Sequence, residues 1–277
     1  MMSRAGNTVN EDAVCVTEHG LVVVDGATGL ARAWLTGWPS DAQWFSHRLA
    51  DLLGARVGHL ETTIPRILKE CLQLLQVELA QKVSIGGLSP DALPSASVMI
   101  ARINGTELEV YSLGDCQALI GHRGGGVRVC HDAAVSALDS AAIESMCAYA
   151  AHHKIPIREA RAHVGDQLLR NRRLMNTPDG YWIAELSGAG TLHGRLQTFA
   201  MEDVVDVAVM TDGFAAALDP VRMFANPTGM LNALRDAPPT SVVETLFGLL
   251  TADPEYAAYP RLKHIDDASV IYAALHN

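Results

Sequence analysis

The stretch Asn10-Glu11-Asp12-Ala13-Val14-Cys15-Val16 runs on through Thr17-Glu18-His19 into Gly20-Leu21-Val22-Val23-Val24-Asp25-Gly26-Ala27-Thr28-Gly29, and it decides how the rest of the chain is read. Two β-branched runs flank Glu18-His19-Gly20, which reads as a hairpin or tight connection. Asp12 precedes the first run and Asp25 follows the second. In an antiparallel hairpin the start of one strand lies beside the end of the next, so both carboxylates emerge at one edge.

Outward from this hairpin the hydrophobic period changes. Trp44, Phe45, Leu49, Leu52 and Leu53 recur at helical spacing, as do Ile64, Ile67, Leu68, Leu72, Leu75 and Leu79. They predict two amphipathic helices across residues 40–83, divided near Gly58 and His59, with a turn-rich connection over 86–94. Strands resume at 96–103 and 107–113 around the hairpin signal Asn104-Gly105, then at 117–120, and Gly124-Gly125-Gly126 marks another turn. Residues 136–173 are largely helical with a break at Pro156, and 176–190 are irregular. A strand at 204–210 ends in Thr211-Asp212-Gly213, a helix covers about 241–251, and Asp266-Asp267 leads into a last strand at 268–274. Strands that come as hairpins and helices that come in pairs do not suit a parallel sheet. The expected fold class is α+β, a four-layer α-β-β-α sandwich of two central antiparallel sheets flanked by helices. With no Pro-, Gly- or Ser-rich linker, 1–277 reads as one domain.

Composition narrows the function. Of 277 residues, 49% are apolar, enough for a sizeable core, and the formal net charge of -10 argues against nonspecific nucleic-acid binding. Arg170, Arg172 and Arg173 form a local basic cluster that reads as a solvated face. The five cysteines (Cys15, Cys71, Cys116, Cys130 and Cys147) are dispersed, with no zinc-ligand spacing. Met1-Met2-Ser3-Arg4 opens no signal peptide and no apolar run reaches about 18 residues, so a cytoplasmic protein without a membrane partner is expected.

Asp12, Asp25, Asp212 and Asp266 each adjoin an apolar, β-rich run. Any one of them can cap a turn. Converging carboxylates without lysine or arginine neighbours repel unless cations neutralise them, and hard oxygen donors point to magnesium or manganese. Paired ions can orient a phosphoryl group and activate water, a chemistry that needs no protein nucleophile. No GxSxG elbow, CxxxxxR phosphate loop or GxxxxGK[ST] motif offers an alternative.

The ordered set Asn10-Glu11-Asp12-Ala13, Val24-Asp25-Gly26, Ser95-Ala96-Ser97, Gly114-Asp115-Cys116-Gln117, Thr211-Asp212-Gly213 and Asp266-Asp267-Ala268-Ser269 resembles the type-2C metal-dependent protein phosphatases (PPM), in the manner of a divergent bacterial member. The resemblance spans roughly residues 7–275. It implies a dinuclear Mn2+ or Mg2+ site at one end of the sandwich, with a third ion as an option, and a phosphoserine/phosphothreonine protein as substrate. By the same resemblance Asp12 serves the second metal, Asp25 bridges both, the Gly26 carbonyl binds one, and Asp212 and Asp266 complete the first. Glu11 matches a water-mediated neighbour, Asp115 an additional metal position or a turn support, and Asp267 a residue one step removed from the ions.

The chain departs from the family pattern where phosphate is gripped. Asn7 stands where relatives carry an arginine, with Arg4 as the nearby candidate; Ala27 excludes a histidine acid; Gln117 replaces the arginine of GDSR. Among other residues, His152-His153 read as surface and His264 as a candidate for lining the site. Trp34, Trp38 and Trp44 either roof the catalytic edge or pack a helix on the sheet. The leading expectation is a serine/threonine phosphoprotein phosphatase. A phosphatase of small phosphometabolites and a phosphoprotein-binding pseudophosphatase are the alternatives.

Overall fold

The computed structural model describes residues 1–29, 34–84, 88 and 92–275. Among the described residues, eleven strands form two antiparallel sheets. One sheet runs β1 (Met2–Arg4), β11 (Ala268–Ala274), β10 (Val204–Met210), β6 (Gln117–His122) and β7 (Val127–Cys130). The other runs β2 (Asp12–Val16), β3 (Gly20–Ala27), β4 (Ser95–Asn104), β5 (Glu107–Leu113) and β9 (Arg195–Ala200), with β8 (Ala184–Glu185) on the flank of β4. The α+β sandwich expected from the hairpin pattern is the fold observed.

The alternation of side chains along each strand builds three layers of core. Val23, Met99, Val110, Ile120, Val207 and Val209 point between the sheets and fill the centre. Their neighbours Val22 and Val24 point outward and meet Trp44, Phe45 and Leu68. These come from α1 (Asp41–Gly54) and α2 (Ile64–Ala80). On the opposite face Ala208 and Met210 pack under α6 (Pro227–Asp236) and α7 (Pro239–Thr251) through Leu231, Val243 and Leu246.

Local chemistry sets the helix boundaries. The Ser40 hydroxyl accepts from the Gln43 amide at 3.0 Å and starts α1, while Asn226 does the same for Gly229 at 2.9 Å ahead of α6. Pro65 sits in the first turn of α2, where its missing N–H has no partner to lose. The break expected at Pro156 falls slightly earlier: α3 (Ala134–His153) closes on Lys154 in a left-handed conformation, φ 55°. A 3-10 turn (Glu159–Val164) and α4 (Gly165–Arg173) follow, and Met146, Ala150, Ala160 and Val164 give this helical unit a small core of its own.

The β1 and β9 strands and α6 carry too little apolar periodicity to stand out in the sequence. Most of the connection expected over 86–94 lies outside the described residues. Trp44 is buried and Trp38 packs beside it on the helix-side core, so packing accounts for both; Trp34 is 76% exposed. No described helix is long and apolar enough to cross a membrane.

Candidate functional site

Antiparallel pairing sets Asp12 of β2 directly opposite Asp25 of β3, and Asp25 in turn opposite Ser97 of β4. The following residue, Gly26, gives its N–H to the Glu11 carbonyl at 3.1 Å, and a Cβ there would stand 2.6 Å from that same oxygen. Only glycine tolerates this approach. Asp212 opens the short helix α5 (Asp212–Ala215) after β10, and Asp266 lies just before β11. One hairpin and two segments distant from it in sequence thus end at one edge of the sandwich.

Each aspartate has a distinct local setting. Asp12 is buried and accepts the Thr211 hydroxyl at 2.9 Å. Asp115 accepts the Ser97 hydroxyl, whose oxygen accepts the Asp115 N–H at 3.2 Å. Gly114 makes this turn at φ +86°. Asp267 accepts the amides of Gly6 at 2.8 Å and Glu11 at 2.6 Å, tying the segment before β2 to the start of β11. Glu11 accepts the Thr28 hydroxyl at 2.7 Å.

The carboxyls sense one another. Burial pushes Asp25 well above the usual carboxylate range, and Asp212, Asp12, Asp115 and Asp266 push it the same way. Burial likewise raises Asp12, against hydrogen bonds from Ser269 and Thr211. Asp212 is raised first by burial and then by Asp115, while Lys263 and a hydrogen bond shared with Asp25 oppose the rise. Asp266 is raised by burial and held back by Lys263.

Lys263 corrects the expectation of a cluster without a basic neighbour. Its ammonium lies 2.8 Å from both Asp266 carboxylate oxygens. Its surroundings alone would lower its pKa, but Asp266, Asp212 and Asp25 outweigh them and hold it above its ordinary value. Asp12, Asp25, Asp212 and Asp266 against one lysine still leave excess negative charge, and the hard oxygen donors fit a magnesium- or manganese-type ion. The side chains are not drawn together as a ligand set: among the described residues, no group of three or more His, Cys, Asp or Glu is disposed to hold a metal. Protein donors, Lys263 on Asp266 and Thr211 on Asp12, occupy carboxylate oxygens instead.

Beside this edge opens a cavity of about 300 Å³. Asp25, Asp115 and Asp212 line one side; Asp12 and Asp266 are not among its lining residues. The other side is the helical unit α3–α4, which brings Leu138, Asp139, Arg161, Arg172 and Leu168, joined by Lys263. Burial, then the charge of Asp212, pushes Asp139 up to about 6.

Sequence reasoning missed Asp139, Arg161 and Lys263 because they precede no strand. It also read Arg172 as part of a solvated face, whereas this one arginine of the three lines the cavity. The only sequence signal was Lys263 three residues before Asp266. Other candidates fall outside. The Arg4 guanidinium lies 4.7 Å from the Phe247 ring centroid on the far side of its sheet, and the Asn7 amide donates to the Ile265 carbonyl at 3.2 Å. His264 stacks on Tyr256 and does not line the cavity, and His152 and His153 are exposed at the end of α3.

Comparisons with known proteins identify the family and the fold. The protein phosphatase 2C family model matches residues 2–250, and the chain belongs to that family. Its fold resembles the serine/threonine phosphatase Stp1 from Staphylococcus aureus at 14% identity and TM-score 0.58, covering 100% of this chain and 94% of that one. The Mycobacterium tuberculosis serine/threonine phosphatase PstP/Ppp matches at 16% identity and TM-score 0.53, with 100% and 97% covered. The catalytic domain of PstP in complex with 2 manganese ions matches at 15% identity and TM-score 0.50, with 99% and 95% covered. At such identities the likeness carries the fold alone. No curated protein sequence matches the chain.

Proposed function

We propose that this protein is a metal-dependent phosphomonoester hydrolase acting on phosphoserine and phosphothreonine in proteins. The observation that carries the reading is the set of Asp12, Asp25, Asp212 and Asp266, raised by burial and by one another at the edge of a cavity that also holds cationic side chains. In this reading Asp12, Asp25, the Gly26 carbonyl, Asp212 and Asp266 hold two Mn2+ or Mg2+ ions, and Asp115 supports a third. Bound there, the ions supply Lewis-acid charge for the phosphoryl oxygens and activate water for in-line attack.

The chain's own residues do the rest. Asp267 ties the segment bearing Asp12 to the start of β11, and the Gly26–Glu11 contact holds it against the strand end bearing Asp25. Ser97 fixes the Asp115 carboxylate. Leu138 and Leu168 give the cavity an apolar stretch of wall.

One observation favours a second reading, a pseudophosphatase that binds phosphoprotein without turnover. Lys263 already neutralises Asp266, a position the first reading needs for metal.

The deciding experiment compares phosphoserine and phosphothreonine peptides with a panel of small phosphometabolites at saturating manganese. The proposal expects kcat/KM at least about tenfold higher on the peptides, roughly 1.4 kcal/mol of transition-state preference. Preference for a metabolite replaces the substrate class. Peptide binding without phosphate release selects the second reading.

A further inference from the structure

We propose that the substrate phosphate is gripped from the helical side of the cavity, by Arg172 and Lys263 with Arg161 beside them, and not from the segment ahead of β2. The inference rests on the phosphatase reading above for its substrate but on separate residues for its evidence.

The segment ahead of β2 brings no cation to the cavity. Arg4 is engaged by Phe247, Asn7 is engaged by Ile265, and neither lines the cavity. Gln117, placed where an arginine would suit, pairs with Met210 inside the sheet and does not line it either. An anion entering the site therefore meets no positive charge from that side, while three aspartates face it.

The opposite wall is built differently. Arg172 reaches the cavity from α4 with its Nε buried and without a hydrogen-bond partner among the described residues. Its Nη2 donates to the Leu93 carbonyl over a long 3.5 Å. A guanidinium that lines a cavity with so few bonds to the protein is uncommon and suits a group that completes its bonding with a ligand. Tyr181 stands next to it on the same wall.

Lys263 contributes a second cation. Its ammonium has three donors, and with Asp266 on one side 57% of the side chain remains accessible. Arg161 gives its Nε to the Leu262 carbonyl at 3.1 Å, which fixes its guanidinium against the loop that carries Lys263. The small core of Met146, Ala150, Ala160 and Val164 holds this unit together, so the two arginines sit on packed backbone. A planar guanidinium fork and a compact ammonium are the two side-chain types that bind phosphate oxygens best.

The test measures inorganic phosphate affinity by calorimetry on manganese-loaded protein, and KM and kcat with p-nitrophenyl phosphate. Arg172→Met and Lys263→Met should each weaken phosphate binding and raise KM by at least about tenfold, with a smaller change in kcat. Arg173→Met, an exposed neighbour on α4, and Arg4→Ala should leave both unchanged. Arg172→Lys should fall between Arg172→Met and the unaltered protein, because it keeps the charge and loses the fork. If Arg172→Met does not fold, Lys263→Met carries the test, since its accessible side chain fills no core. Unchanged phosphate affinity in both variants, or no phosphate binding by the unaltered protein, overturns the inference. Binding that depends on Arg172 and Lys263 in a protein that hydrolyses nothing upholds the inference and removes the hydrolase reading. Turnover with variant-independent phosphate affinity does the reverse.

Discussion

Asp25 meets Asp12 across one side of β3 and Ser97 across the other, so its carboxyl is held by two ladders at once. Its charge is opposed by burial and by four further aspartates. Asp25→Asn removes the charge best placed to serve two ions, and turnover should fall at least about a hundredfold while circular dichroism stays unchanged. Near-normal rates at limiting and saturating manganese would remove Asp25 from the centre of the site. Asp139 tests burial and that field together. Its folded pKa is about 6 against an ordinary 3.8. The fold therefore binds its proton more tightly than the unfolded chain does; the resulting stability is complete below the lower value and lost as pH rises through the upper one. In metal-free protein Asp139→Asn should match the unaltered protein near pH 4 and exceed it at pH 7 by roughly 1–3 kcal/mol in urea unfolding. Equal stability at both pH values would contradict both the burial of Asp139 and its place in the field of the cluster. Legibility at this scale followed strand context. Asp12, Asp25, Asp212 and Asp266 stood out because each adjoins an apolar strand, whereas Arg161, Arg172 and Asp139 sit in helices where nothing local separates a cavity residue from a solvated one.

Among the elements, the hairpin β2–β3 and the strands β4, β5, β10 and β11 were readable because their residues alternate between two buried layers, as Val22, Val23 and Val24 do. The short β1 was not, since its three residues are at most half-buried and its pairing partner lies at the other end of the chain. That pairing gives Arg4 its place. The guanidinium lies over Phe247 of α7, a cation–π contact at an exposed site worth about 0.5–1 kcal/mol. Arg4→Ala should lower stability by that amount in denaturant titrations and leave the Michaelis constant for phosphoesters unchanged. A rise in the Michaelis constant without loss of stability would return Arg4 to the phosphate-binding role that the sequence suggested.

Across the whole molecule, two antiparallel sheets bring residues from positions 12, 25, 212 and 266 to one edge, and a helical unit between β7 and β8 walls the cavity that opens beside it. The architecture was legible because hairpins and paired helices exclude a parallel sheet. The placement of the helical unit was not, because a chain pattern does not say where a helix pair docks. The central claim is that this edge hydrolyses phosphomonoesters through bound dications. It is tested most directly by measuring inorganic phosphate released from a phosphothreonine peptide by chelator-treated protein, before and after manganese is returned. The account predicts negligible release before and sustained turnover after, with magnesium effective and zinc largely ineffective. Full turnover in protein verified as metal-free would contradict it.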